Sequence, residues 1–257
     1  MAPTISVNGI RIELIERGAG WPLLFLHPGI GIEADAPVLE RLATRARVIV
    51  PTHPGLGGSE APRSFDTVDD LAYFYLDFMQ ALDLRDVALV GVSFGGWIAA
   101  EIAIKSTAQI SHLVLANPVG IKVGGREHRD IADIFAMTED DFIAVAYHDP
   151  CAGERDYKAM PEAQVRNAAR NREATARYAW SPFMHDPKLK GRLHRIRIPT
   201  LFIWGTSDRV LSEDYGRAYC AAIPRARFER IERAGHFPHL EQPGEFAEKI
   251  FAFIARK

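Results

Sequence analysis

The chain has 257 residues, 47% hydrophobic and 25% charged, with 31 Lys+Arg against 33 Asp+Glu and a formal net charge of −2. A chain of that length buries a full core without staples, as one large domain or two small ones. Its near-balanced charge excludes the basic excess of a dedicated nucleic-acid binder, and its apolar content excludes a disordered chain.

Two short alternating segments come first, Thr4–Val7 and Ile10–Glu16, joined by Asn8-Gly9. Both linking residues tolerate positive φ, which marks a hairpin turn. Runs rich in Val, Ile, Leu and Phe follow at Pro22–Leu26, Arg47–Val50, Val87–Val90, His112–Ala116, Thr200–Trp204 and Arg227–Ile231. Continuous apolar runs this short suit strands buried on both faces, as in a parallel sheet covered by helices. Helical periodicity fills the intervals. Val68–Leu82 spaces Leu71, Phe74, Tyr75, Phe78 and Leu82 at three and four residues, behind Asp66 and Thr67 as caps. Ser93–Lys105 continues the pattern, Ser212–Ala222 starts at a serine cap and stops before Pro224, and Pro243–Ala255 opens with proline early in the helix. The alternation predicts a doubly wound α/β domain around a mostly parallel eight-stranded sheet.

One stretch breaks the rhythm. From 120 to 186 no strand-like run of comparable strength occurs, and Val165–Trp180 places Val165, Ala168, Ala169, Arg172, Ala176 and Ala179 on one helical face. This predicts a helical cap at 120–186 inserted into a core made of 1–119 and 187–257. The two cysteines, Cys151 and Cys220, form neither a disulfide framework nor a zinc site by themselves. The first residues show no basic region followed by an apolar one, which sets a cytoplasmic location as the expectation. The longest apolar stretches, Pro22–Ile32 and Val87–Ala100, fall short of the ~20 residues a bilayer span needs.

The sharpest chemical signal is Gly91-Val92-Ser93-Phe94-Gly95-Gly96, a G-x-S-x-G that directly follows a strand-like run and opens a helical one. In that context the serine sits on a tight turn at the carboxyl edge of the sheet. A serine hydroxyl is a poor nucleophile until a base takes its proton and a third group orients that base. Both are available downstream at strand ends: Asp208 in Gly205-Thr206-Ser207-Asp208, and His236 in Gly235-His236-Phe237-Pro238. Open α/β sheets place their sites at that edge. Asn117, after an earlier strand, is neutral and cannot stabilise an imidazolium as a carboxylate does, which favours Asp208 as the acid.

These segments, with "FLHPGIG", "GVSFGGW", "IPTLFIWGTSDRV" and "AGHFPHLEQP", make the chain resemble the α/β-hydrolase fold, in its cap-bearing serine hydrolase branch, from about Ile5 to Ile254. The resemblance implies a Ser93–His236–Asp208 triad, oxyanion donors from the backbone N–H groups of Gly29 and Phe94, and no metal or organic cofactor. Two departures stand out. Pro28 replaces a glycine common in relatives and has no N–H, so the donor moves to Gly29 or Ile30. Thr52 stands where relatives often carry Asp. His27 reads as a structural residue of the oxyanion loop, Trp97 as packing under its helix, and Glu241 as support for the local loop. His239, three residues after His236, has no third ligand or helical register that would make a metal pair.

Specificity is expected in the cap, where Phe135, Met137, Tyr147, Trp180, Phe183 and Met184, together with Phe237, are candidates for an apolar pocket. Arg166, Arg170, Arg172 and Arg177 read as a solvated face, with one of them a candidate for binding a substrate carboxylate. The main expectation is a serine hydrolase cleaving an ester or related acyl bond of a small molecule. The alternatives are C–C bond hydrolysis of a ring-fission diketone-type product, which Phe237 in place of the tryptophan of those relatives disfavours, and a ligand receptor on a hydrolase scaffold. Nucleic acid and membrane are not expected as partners, and a homodimer is left open.

Overall fold

The computed structural model describes residues 3–255. Eight strands form one sheet: β1 (Thr4–Val7), β2 (Ile10–Arg17), β3 (Pro22–Leu26), β4 (Arg47–Pro51), β5 (Val87–Val92), β6 (Ile110–Ala116), β7 (Thr200–Gly205) and β8 (Ala226–Ile231). Their spatial order is β1-β2-β4-β3-β5-β6-β7-β8. The β1–β2 and β2–β4 pairs are antiparallel and all the others parallel, as the apolar runs in the sequence imply. Asn8 and Gly9 take φ values of 49° and 83° in the first hairpin.

Nine helices are described: α1 (Pro37–Ala43), α2 (Val68–Ala81), α3 (Phe94–Lys105), α4 (Glu139–Ala146), α5 (Glu162–Ala179), α6 (Leu189–Arg192), α7 (Glu213–Ala221), α8 (Pro238–Glu241) and α9 (Pro243–Ile254). Thr67 caps α2 through a reciprocal box with Asp70. Helix α3 is buried from Phe94 to Ile104, and apart from Glu101, which pairs with Lys105, that stretch is apolar; it lies between the strands β3, β5 and β6 and the helix α2.

The topology places the site. The chain runs from β3 outward to β4, then crosses back over β3 to form β5 on its other side. The order of the parallel strands therefore reverses between β3 and β5, the position at which open α/β sheets leave a crevice at their carboxyl ends. Between β6 and β7 the chain makes the helical insertion, which carries α4 and α5. It enters and leaves side by side: Gly120 bridges His185, and Asp186 donates its N–H to the Gly120 carbonyl at 3.0 Å. Side chains of α5 dock on the core. Asn171 accepts from Gly57 N–H at 2.8 Å and donates to the Ile30 carbonyl at 3.1 Å, while Tyr178 donates to the Pro54 carbonyl at 3.0 Å. No helix among the described residues is long and apolar enough to cross a membrane.

Candidate active site

Ser93 turns the chain from β5 straight into α3, at φ 53° and ψ −114°. Non-glycine residues rarely hold that conformation, and such strain concentrates at functional sites. The turn demands glycine on both sides. A Cβ at Gly91 would run into the Gly95 carbonyl, and one at Gly95 into the carbonyls of Leu26 and His27.

The loops after β7 and β8 bring Asp208 and His236 to the same edge. Ser93 Oγ lies 2.7 Å from His236 Nε2, and His236 Nδ1 lies 2.8 Å from Asp208 Oδ2. An ionised carboxylate only accepts, so the imidazole carries its proton on Nδ1 and leaves Nε2 free to accept from the serine hydroxyl. The Asp208 side chain is fully buried and His236 is 3% exposed. Four donors hold the carboxylate: His236 and Asn117 Nδ2 (2.7 Å) on Oδ2, and the N–H groups of Val210 (2.8 Å) and Leu211 (3.1 Å) on Oδ1. Asn117, given no part at the sequence level beyond being a poor acid, orients the acid instead. Its own Oδ1 is fixed by the Gly205 N–H at 3.0 Å.

Opposite the serine, the N–H of Phe94 heads α3 and that of Gly29 follows β3. Neither has a protein acceptor among the described residues, and both residues line the cavity that Ser93 and His236 face. Thr175 Oγ1 of α5 donates to the Gly29 carbonyl at 3.2 Å, which sets the loop from the insertion side. Beneath the loop lies a closed polar network. His27 Nδ1 donates to the Pro28 carbonyl (2.8 Å), His27 Nε2 accepts from the His53 N–H (3.2 Å), and His53 Nε2 donates to the His27 carbonyl (2.9 Å). Tyr75 O–H completes the chain at His53 Nδ1, 2.5 Å away. Burial pushes the His27 imidazole down to about 4 and His53 well below its ordinary value, so both are neutral. His27 thus has the structural role its position suggested, and His53 is its unrecognised partner.

The cavity above the triad measures about 430 Å³. Its walls come mainly from the insertion, including the expected Phe135, Met137, Tyr147 and Met184, with Phe237 from the histidine loop. Trp180 and Phe183 are not part of it. Trp180 lies just past the end of α5, 60% exposed, and packs at steep ring angles against Phe183 and Phe135. Apolar side chains beyond a helix end can pack on each other as readily as on a ligand, which composition cannot distinguish. Phe142, Ile143, Val165 and Ala168 lie in the lining unanticipated, as do the polar Glu139, Arg155 and Tyr157. Of the four α5 arginines, Arg166 and Arg177 pair with Glu162 and Glu173 at 3.4 and 3.9 Å, and Arg170 donates to the Ser59 carbonyl at 3.1 Å. Only Arg172 lines the cavity. It donates to the Phe135 carbonyl at 3.0 Å and lies over the Phe135 ring.

Comparison with known proteins agrees with this geometry. The chain is 28% identical to 2-hydroxymuconate semialdehyde hydrolase of Pseudomonas sp. (strain CF600), covering 98% of this chain and 93% of that protein. It is 27% identical to 2-hydroxy-6-oxo-2,4-heptadienoate hydrolase of Pseudomonas putida, over 98% and 95% of the two chains. Among solved structures it matches the meta-cleavage product hydrolase of Pseudomonas fluorescens IP01, with TM-score 0.77, 20% identity and 99% and 97% coverage. An esterase of Exiguobacterium antarcticum matches with TM-score 0.75, 21% identity and 99% coverage of each chain. The profile of the alpha/beta hydrolase family matches residues 23–249, and the chain therefore belongs to that family, as a hydrolase with Ser93, His236 and Asp208 set in triad geometry.

Proposed function

We propose that the protein hydrolyses a carbon–carbon bond in a small ring-fission acid, a molecule with a carbonyl at one end of a conjugated chain and a carboxylate at the other. The observation that carries this reading is Arg172, an arginine without an ion pair among the described residues, in the wall of a largely apolar cavity that opens on Ser93 and His236. A guanidinium has five N–H donors and suits bidentate carboxylate binding. Two relatives point the same way, since their names describe hydrolases of 2-hydroxymuconate semialdehyde and of 2-hydroxy-6-oxo-2,4-heptadienoate.

In this reading Ser93, His236 and Asp208 are catalytic, and residues 120–186 act as a cap that shapes the substrate chamber. Ser93 Oγ adds to the carbonyl carbon while its proton passes to His236 Nε2, and Asp208 steadies the imidazolium. The N–H groups of Phe94 and Gly29 receive the developing oxyanion, each worth about 3 kcal/mol in comparable sites. Collapse of the adduct breaks the C–C bond. The electron pair enters the conjugated system of the departing acid, which takes the proton back from His236. Water, activated by the same imidazole, then releases the acyl group from Ser93.

An ester would follow the same steps with an alkoxide leaving group, but a neutral ester gives Arg172 nothing to bind. The test is a parallel assay on a dienoate ring-fission acid, through loss of its conjugated chromophore, and on p-nitrophenyl esters. The expected result is kcat/KM at least ~100-fold higher for the acid, with both activities lost in Ser93→Ala by about 1000-fold or more. Efficient ester turnover without cleavage of any ring-fission acid would overturn the C–C reading and favour an esterase.

A further inference from the structure

The end of α4 is joined to both loops that carry the triad. Arg209, next to Asp208, donates its guanidinium to the Ala144 carbonyl and its N–H to the Val145 carbonyl at 3.0 Å. His236 itself donates its backbone N–H to the Ala146 carbonyl at 2.6 Å. His148, just beyond the helix, places Nδ1 2.8 Å from Ser207 Oγ, one residue before the acid. Gly235 must be glycine, because a Cβ there would strike the Ala146 carbonyl.

Glu241 closes this junction. It sits at the end of α8, five residues past His236, and accepts three backbone N–H groups from two separate segments. Oε2 takes the Gly235 N–H at 2.6 Å, and Oε1 takes those of His148 at 2.8 Å and Asp149 at 3.1 Å. Only a carboxylate can do this, with acceptor capacity on both oxygens and none of it carrying a proton. A glutamine of the same shape offers one acceptor oxygen and turns an NH2 toward one of the donors.

We propose that Glu241 is a positioning residue for His236: it clamps the histidine loop to the insertion at the end of α4, and so sets the imidazole against Ser93. The proposal rests on the Ser93–His236 chemistry proposed above. In this arrangement α4 is part of the framework that aligns the base. Proton transfer depends steeply on the 2.7 Å serine–imidazole contact, so a small shift of Gly235 reaches the chemistry without touching substrate.

A fluorophosphonate probe tests the clamp independently of the substrate assignment. Ser93 Oγ forms a bond to phosphorus, the P–F bond breaks, fluoride leaves, and the hydroxyl proton goes to His236. The labelling rate of full-length parent and Glu241→Gln is measured from pH 5 to 9, beside kcat, KM and thermal melting. The expected result is a cooperatively melting variant whose labelling plateau and kcat fall ~10- to 100-fold while KM changes less than ~3-fold. Should Glu241→Gln fail to accumulate folded, Ser207→Ala, which removes only the His148 contact, reads the same junction and is expected to lose ~3- to 10-fold. Labelling and turnover at the parent's rate in the folded variants would overturn the proposal. A parent chain that does not label at all would overturn the triad chemistry, and the clamp with it. Labelling in the parent without cleavage of ring-fission acids would discard only the C–C reading.

Discussion

Three imidazoles in this protein are buried and neutral, and each must be desolvated to remain so. His27 and His53 lie ring over ring with centroids 3.9 Å apart, and every ring nitrogen has a partner. His239 is different. It is fully buried among Phe25, Phe237 and Phe246, and neither ring nitrogen has a hydrogen-bond partner. Burial pushes it down to about 3, with His236 and His27 adding to the effect. The sign of the linkage follows directly. Unfolded histidines take up protons near pH 6.5 while these three do not, so the unfolded state binds more protons below that value. Stability is fully present above about pH 6.5 and is lost as pH falls toward about 4, by up to ~1.4 kcal/mol per pH unit for each histidine. Urea unfolding at a series of pH values should show this fall. His239→Leu should stabilise the fold at pH 7 by about 1–2 kcal/mol, since it removes an unpartnered polar ring at similar volume, and should remove about one proton from the acid slope. An unchanged slope would mean that His239 is already protonated or hydrated in the fold.

The elements that sequence periodicity reveals are those whose faces are settled by the core. The two alternating segments are β1 and β2 and the six apolar runs are β3 to β8, and the turn at Ser93 follows from its glycines, because each collision there involves nearby backbone. The acid and the base were legible for the same reason: each follows a strand at the carboxyl edge. Helix α1 was not, since seven residues give too little periodicity to stand out. The roles of Asn117 and Thr175 escaped because their partners are 91 and 146 residues away, and for Glu241, read as support for its local loop, the reach across 93 residues to His148 escaped as well, a relation that local spacing does not encode. Helix α5 shows the limit best. Of the six residues expected to share one face, Val165, Ala168, Ala169 and Arg172 line the cavity and Ala176 and Ala179 do not, while a second face of Asn171, Ala174 and Tyr178 packs on the core loops. Asn171 bridges the loop after β3, at Ile30, to the loop at Gly57 and is 8% exposed. Asn171→Leu strands the buried Gly57 N–H and should cost about 1–3 kcal/mol in chemical denaturation. Activity should fall further than stability accounts for, because Gly29 follows its neighbour. A variant as active per folded molecule as the parent would show that α5 only covers the site.

Across the whole molecule, 31 basic and 33 acidic residues nearly cancel, so no strong long-range field draws an anionic substrate to the cavity. On the proposed reading, recognition of the substrate carboxylate is then local, at Arg172. Local and long-range attraction respond differently to salt. A steered encounter weakens steeply once the Debye length shrinks below the range of the field, from ~30 Å at 0.01 M to ~3 Å at 1 M, whereas a direct guanidinium–carboxylate contact acts at hydrogen-bond distance and loses less, even at the exposed rim where Arg172 sits. Raising NaCl from about 20 mM to about 500 mM should therefore change kcat/KM for a ring-fission acid by less than ~3-fold. Arg172→Gln should instead raise KM for the acid ~10- to 100-fold, with kcat for a neutral p-nitrophenyl ester within ~3-fold of the parent, since the ester has no carboxylate to lose. Its melting temperature should hardly move: the guanidinium is at the surface and bonds only the backbone carbonyls of Ile134 and Phe135. Equal losses on acid and ester would instead assign Arg172 to the shape of the chamber rather than to recognition of charge. A steep salt dependence in the parent would move carboxylate recognition out of the cavity and onto the protein's surface field.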